Sequence, residues 1–140
     1  MKKEQLVRHE FEPVYDKNSE ILILGSFPSV KSREQGFYYG HPQNRFWKVL
    51  AAIVQEKIPD SIEEKKEMLL RNHIAVYDVI WQCKITGSSD SSIKDVVPAD
   101  ITTIVELSKI RKIYANGKLA EKLFSKYQEK KVGIKAIGLP

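Results

Sequence analysis

Ile21-Leu22-Ile23-Leu24, closed by Gly25, is an aliphatic run with no polar residue inside it. A strand with one wet face alternates apolar and polar side chains. A strand covered by helices on both faces of a parallel sheet does not. Three more segments read as strands: Ile74-Ala75-Val76-Tyr77 running to Asp78, Lys112-Ile113-Tyr114-Ala115 stopped by Asn116-Gly117, and Ile134-Lys135-Ala136-Ile137 stopped by Gly138. Helical patterns lie between them. Pro42 suits a first helical position, and Phe46, Leu50 and Ile53 follow at helical spacing. Ser61 and Glu64 form a capping box for a helix carrying Ile62, Met68 and Leu69. Asp100 can cap a helix with Ile101, Ile104 and Val105, and Leu119, Ala120, Leu123, Phe124 and Tyr127 form the clearest apolar stripe, read as core. Strands alternating with helices predict an α/β domain built on a parallel sheet.

The bulk properties narrow the function classes. A chain of 140 residues with 42% hydrophobic and 29% charged content reads as one globular domain. It contains no apolar run of about 18 residues, which predicts no membrane span, and Met1-Lys2-Lys3-Glu4-Gln5 leads into no apolar stretch, which predicts no signal peptide. Cys83 is the single cysteine. That excludes an internal disulfide, a four-cysteine zinc site and an iron–sulfur cluster held by this chain alone, and suits a reducing cytoplasm. A net charge of +5 permits a polyanionic partner without requiring one. The runs Glu63-Glu64-Lys65-Lys66-Glu67 and Lys126, Lys130, Lys131, Lys135 read as solvated helix faces.

Two segments are longer than helix–strand joins need: Gly25 to His41, and Gln82 to Val97 with its Gly87-Ser88-Ser89-Asp90-Ser91-Ser92 core. Both leave from carboxyl ends of strands, where open α/β sheets bind ligands. The first is the richest in chemistry. Gly25 lets backbone approach a ligand closely, while Phe27, Phe37, Tyr38 and Tyr39 gather aromatics on which a flat base could stack. Asn44, expected in the first turn of the following helix, has an amide that can orient a water, read a base edge or cap the helix. Gly25-Ser26-Phe27-Pro28-Ser29 lacks the Gly-Lys-Ser/Thr ending of a phosphate loop. Lys31 and Arg33 are better placed for phosphates than the helix-face lysines.

Taken jointly, His41-Pro42-Gln43-Asn44-Arg45-Phe46-Trp47 resembles, residue for residue, the helix-opening motif of the mismatch-specific branch of the uracil-DNA glycosylase superfamily. The resemblance runs from about Ile21 to the end of the chain. Where that branch carries a water-positioning asparagine in its first loop, this chain has Phe27. Gly-Ser-Phe-Pro-Ser, Asp78-Val79-Ile80 with the serine-rich loop, and Asn116-Gly117-Lys118 look instead like the hypoxanthine-DNA glycosylase family of the same superfamily. The resemblance implies a three-layer α/β/α fold with a short, mostly parallel, four-stranded sheet. It also implies a monofunctional DNA glycosylase with no cofactor and no metal, acting as a monomer on DNA that contains a deaminated base. It carries the catalytic role to Asn44 and base binding to Gly25, Ser26, Phe27, Pro28, Ser29, Tyr39 and Asp78, with Lys31, Arg33, His41 and Asn116 as DNA contacts. The family continues past Leu-Pro with a Ser/Thr-rich motif, whereas this chain stops at Leu139-Pro140, so residues 1–140 are expected to be a single glycosylase-like domain without that motif.

The expected reaction follows. The target nucleotide is extruded into a pocket at the strand ends, at least cost for a mismatched base. Tyr39 stacks on it, loop amides stabilise charge on the departing base, and Asn44 places the attacking water. Asp78 either reads a ring N–H of hypoxanthine or uracil or caps the loop after it. No lysine stands out as a Schiff-base nucleophile, so strand cleavage is not expected. Two other classes compete: an N-glycosidase of free nucleosides, separable by activity on deoxyinosine against an oligonucleotide, and a non-cutting binder of damaged or single-stranded DNA, separable by salt-dependent binding without base release.

Overall fold

The computed structural model describes residues 3–40 and 44–139. Along the chain the elements are β1 (Glu4–Arg8), β2 (Ile21–Gly25), α1 (Val30–Gln35), α2 (Phe46–Val54), α3 (Ile62–Arg71), β3 (Ile74–Asp78), β4 (Ile80–Thr86), β5 (Lys94–Pro98), α4 (Ile101–Glu106), β6 (Lys112–Asn116), α5 (Lys118–Tyr127), α6 (Glu129–Val132) and β7 (Ala136–Leu139). Four of these strands make a parallel sheet in the order β3-β2-β6-β7, flanked by helices. The fully apolar runs are its centre: Leu22, Leu24, Ala75, Val76, Ile113 and Ala115 are buried. In register, Gly25 lies opposite Asp78, and Leu24 opposite Ala115. Parallel strands end together, so Gly25, Asp78 and Asn116 reach one edge of the sheet. No described helix is long and apolar enough to cross a membrane.

Three sequence expectations are corrected. The fourth strand begins at Ala136 and passes through Gly138 instead of stopping there. Ile134 and Lys135 are spent on the connection from α6, which Gly133 ends in a left-handed conformation. Gly138 faces the Glu121 carboxylate of α5 from within the strand, so it does not form a turn. Second, Gln82 to Val97 is mostly a hairpin: β4 and β5 pair antiparallel, and β1 adds to β4 to complete a second, three-stranded sheet. In β4, Cys83 and Ile85 are buried while Lys84 and Thr86 are half-exposed. That is the alternation of a one-sided strand, and it is quieter than an aliphatic run. Third, the segment after Gly25 contains α1, whose first turn is capped by the Ser29 hydroxyl accepting from the Ser32 N–H and whose end is set by left-handed Gly36.

The helices otherwise follow their patterns. Ser61 and Glu64 form the capping box of α3, and Asp100 caps α4. Ala120, Leu123 and Phe124 of α5 are buried. In α2 the buried face is Trp47, Leu50 and Ala51, and Ile53 is 71% exposed. The stripe is thus set by Trp47 and not by Phe46. The helix begins at Phe46; Pro42, the expected first helical residue, lies outside the described residues.

Candidate active site

At the carboxyl edge of the parallel sheet is a cavity of about 170 Å³ lined by Gly25, Ser26, Phe27, Pro28, Ser29, Ser32, Tyr38, Tyr39, Asn44, Asp78 and Asn116. Three strand ends and the first loop build it. The Gly25 and Ser26 carbonyls accept from the Val79 and Ile80 N–H groups at 2.8 and 3.1 Å, which ties the loop to the β3–β4 junction. Gly25 is required by contact: a Cβ there would lie 2.5 Å from Asp78 Oδ1 and 3.2 Å from the Tyr39 hydroxyl. The return of the loop is held by Ser32, whose Oγ accepts from the Gly40 N–H at 2.9 Å.

Tyr39 adopts φ +53°, an unusual conformation for an aromatic residue and one that turns its ring into the site. One face is covered by Phe46, with centroids 3.9 Å apart and planes 15° from parallel. Its hydroxyl is buried beside the Asn116 side chain and, among the described residues, has no well-formed hydrogen bond. Burial, and secondly the charge of Asp78, pushes the phenol pKa up, while the Asn116 side chain acts in the opposite sense. It therefore stays protonated and is a donor awaiting an acceptor. The four loop aromatics separate by role. Phe37 stacks on Trp47 and is core, and Tyr38 is core except for its edge on the cavity, its hydroxyl donating to the Glu12 carbonyl. Phe27 and Tyr39 face the cavity.

Asp78 is buried, and its Oδ2 lies 2.7 Å from His9 Nε2. Its other oxygen, Oδ1, is the atom that a Gly25 side chain would strike. Asn44 stands two residues before α2 and not within its first turn. Its Oδ1 accepts from the Phe46 N–H at 2.9 Å, an Asx-type turn that leads into α2 through Arg45, and the residue also lines the cavity. Among the described residues, one lone pair of that oxygen and both amide hydrogens remain for another partner. Asn116, at the end of β6, closes the opposite wall.

Nine residues singled out in the sequence thus meet in one cavity: Gly25, Ser26, Phe27, Pro28, Ser29, Tyr39, Asn44, Asp78 and Asn116. Lys31 and Arg33 do not line it. Lys31 pairs with Glu34 at 3.6 Å on the exposed face of α1, a contact worth little. Arg33 donates to the Gly87 carbonyl at 2.7 Å and lies 5.8 Å from the Phe27 ring centre, tying α1 to the β4–β5 hairpin. Arg33 instead borders a separate, open groove of about 870 Å³ along β1 and α1. That groove is the larger of the two, but neither Asp78 nor the carboxamides of Asn44 and Asn116 line it. His41 lies outside the described residues. Tyr38 was among the four loop aromatics singled out, whereas sequence reasoning missed Ser32 and His9. Ser32 stands inside the Gly25–His41 segment, but His9 is 69 residues from Asp78 and carries no local signal.

Residues 12–138 match the family model of the uracil DNA glycosylase superfamily. The chain is similar to the hypoxanthine DNA glycosylase of Methanosarcina acetivorans, 38% identical over 117 residues that cover 82% of this chain and 74% of that one. It is also similar to the hypoxanthine DNA glycosylase of Methanosarcina barkeri, 37% identical over 110 residues covering 77% and 70%. The solution NMR structure of a candidate uracil DNA glycosylase from Methanosarcina acetivorans superposes with a TM-score of 0.83 at 34% identity, covering 97% of this chain and 84% of that one.

Proposed function

Since this chain belongs to the uracil DNA glycosylase superfamily and is a DNA glycosylase acting on deaminated bases, we propose that hypoxanthine is the base it releases and that Asp78 and Asn44 carry the reaction. The observation that carries the proposal is the meeting of an ionisable acceptor, Asp78, with the carboxamides of Asn44 and Asn116 and the Tyr39 hydroxyl in a cavity with room for a single extruded base. Hypoxanthine, uracil and xanthine all present a ring N–H beside a carbonyl. Adenine and cytosine present a bare ring nitrogen at that place. A carboxylate accepts from the first group and repels the lone pair of the second, so Asp78 sorts hypoxanthine from adenine, and uracil from cytosine, at a ring nitrogen that deamination changes. The hypoxanthine-named relatives support the choice of a purine.

Extrusion costs a few kcal/mol, least at a mispair, which adds to the discrimination. The flipped base lies against Phe27 and Tyr39. The N–H groups of the Gly25–Ser29 loop donate to its carbonyl edge and to the charge that builds as the N-glycosidic bond breaks. Asn44, anchored through Phe46, holds a water against the anomeric carbon by placement. Bond cleavage releases the free base and leaves an abasic sugar carrying the water's oxygen. The lone buried Cys83 fits a cytoplasmic enzyme.

The test is base release from duplex oligonucleotides bearing one hypoxanthine, uracil, xanthine or adenine, with alkali used to reveal abasic sites. Release of hypoxanthine ahead of uracil, with adenine untouched, is the expected result. Uracil as the main product would overturn the purine assignment, and adenine release would overturn the role of Asp78.

A further inference from the structure

We infer that His9 is a positioning residue that locks Asp78 in the orientation needed to read the base, an inference that rests on the role proposed for Asp78 above. His9 follows β1 directly, and its backbone N–H donates to the Trp81 carbonyl of β4 at 2.7 Å. The second sheet therefore fixes where the residue stands. The side chain is completely buried, with its Nε2 2.7 Å from Asp78 Oδ2. The imidazole is held on several sides by rings: Phe11, Tyr77, Tyr38 and Phe27 have centroids 4.5, 4.8, 5.7 and 6.2 Å away. Among the described residues, no Lys or Arg side chain forms an ion pair with Asp78.

The tautomer follows from the orphan on the other side of the ring. Among the described residues, His9 Nδ1 is buried with no partner. A proton there would be a buried donor with no acceptor, so the ring proton sits on Nε2 and is donated to Asp78. Asp78 Oδ2 is thereby occupied and the carboxylate cannot rotate freely. Oδ1 is left as the acceptor facing Gly25 and the cavity. A carboxylate free to turn could meet many edges. One held by His9 presents a single acceptor at one angle, which is what discrimination by a ring N–H requires. This assigns the β1-β4-β5 sheet a function: it delivers the histidine that aims the base reader.

Single-turnover release from a hypoxanthine duplex tests the inference, measuring both the limiting rate and the half-saturating enzyme concentration. His9→Phe keeps a buried ring and removes the donor, whereas His9→Gln keeps a donor at similar reach. His9→Phe is expected to lower the limiting rate over half-saturation by about 10- to 100-fold, the range for a lost hydrogen bond to a charged group. His9→Gln is expected to recover most of the loss. Combined with Asp78→Asn, His9→Phe should add little further loss, because both act through one contact. Equal activity of His9→Phe and the parent, or fully additive losses in the double variant, would overturn the inference. If Asp78→Asn alone matches the parent, the proposed reading of Asp78 falls and His9 falls with it, whereas loss in Asp78→Asn with a fully active His9→Phe removes only His9. Nitrogen-15 NMR of the parent protein needs no variant: a proton on Nε2 is expected, and a proton on Nδ1 overturns the inference even if His9→Phe fails to fold.

Discussion

Asn44 meets two demands with one carboxamide. Its oxygen accepts from the Phe46 N–H in a turn leading into α2, and the residue lines the cavity. Asn44→Asp keeps the turn's acceptor and removes the amide donors, and Asn44→Ala removes both. Both variants are expected to lose about 10²-fold in base release, but only Asn44→Ala should also lose about 1 kcal/mol of stability, the worth of one hydrogen bond. Paired measurements of rate and thermal midpoint separate the effects, and an Asp variant as fast as the parent would end the proposed role. Gly25→Ala is the complementary test. Its methyl would meet an Asp78 carboxylate that His9 prevents from swinging away. The expected outcome is a folded protein with hypoxanthine release down by about 10²-fold; a variant releasing hypoxanthine at the parental rate would mean that Oδ1 is not held against the strand end.

Short helices matter at the scale of elements because their ends set the walls of the site and of the core. Asp100 accepts from the Thr103 N–H and hydroxyl, which holds its carboxyl below the usual carboxylate range. A depressed folded-state pKa means that this stabilisation is present above the unfolded-state value and is lost as pH falls through the folded one. Asp100→Ala should therefore cost about 1 kcal/mol at neutral pH and almost nothing well below about pH 4. Chemical denaturation at two pH values reads this directly, and an equal cost at both would assign the loss to something other than the cap. The hairpin is docked on α1 by two contacts, Arg33 to the Gly87 carbonyl and the Val30 N–H to Ser88 Oγ. The serine-rich stretch, which looked like an open loop, is thereby part of the frame that steadies the Gly25–Ser29 side of the cavity.

For the whole molecule, the core under the sheet supplies the stability that the site spends on a positive-φ tyrosine and buried polar groups. Phe124 of α5 is completely buried, and Phe124→Ala is expected to cost about 3–5 kcal/mol. Denaturant unfolding measures the loss; a cost below about 1 kcal/mol would imply that the site collapses freely around the gap. The net charge of +5 acts at the same scale. Affinity for a hypoxanthine duplex should fall by at least about tenfold between 50 and 200 mM salt. A flat salt profile would argue against phosphate contacts as a main source of binding.

Features that follow from short-range physical chemistry were legible in the sequence. The aliphatic run Ile21–Leu24 can be satisfied only between two helical layers, and the parallel sheet follows. Strand ends are punctuated by the residues that stop them, so Gly25, Asp78 and Asn116 could be placed at one edge before their contacts were known. The dense run from His41 to Trp47 indicated the family. The tertiary structure alone decided the rest. β1 and β4 carry only faint alternation, because a one-sided sheet needs few apolar positions. Which loop aromatics are wall and which are core depended on what packs behind them: Trp47 takes Phe37, while Phe46 covers one face of Tyr39. The bond of Arg33 to the Gly87 carbonyl depends on a hairpin that no local pattern announces. The contact between His9 and Asp78 spans 69 residues and two sheets, and no periodicity encodes a pairing that arises only when the two sheets meet.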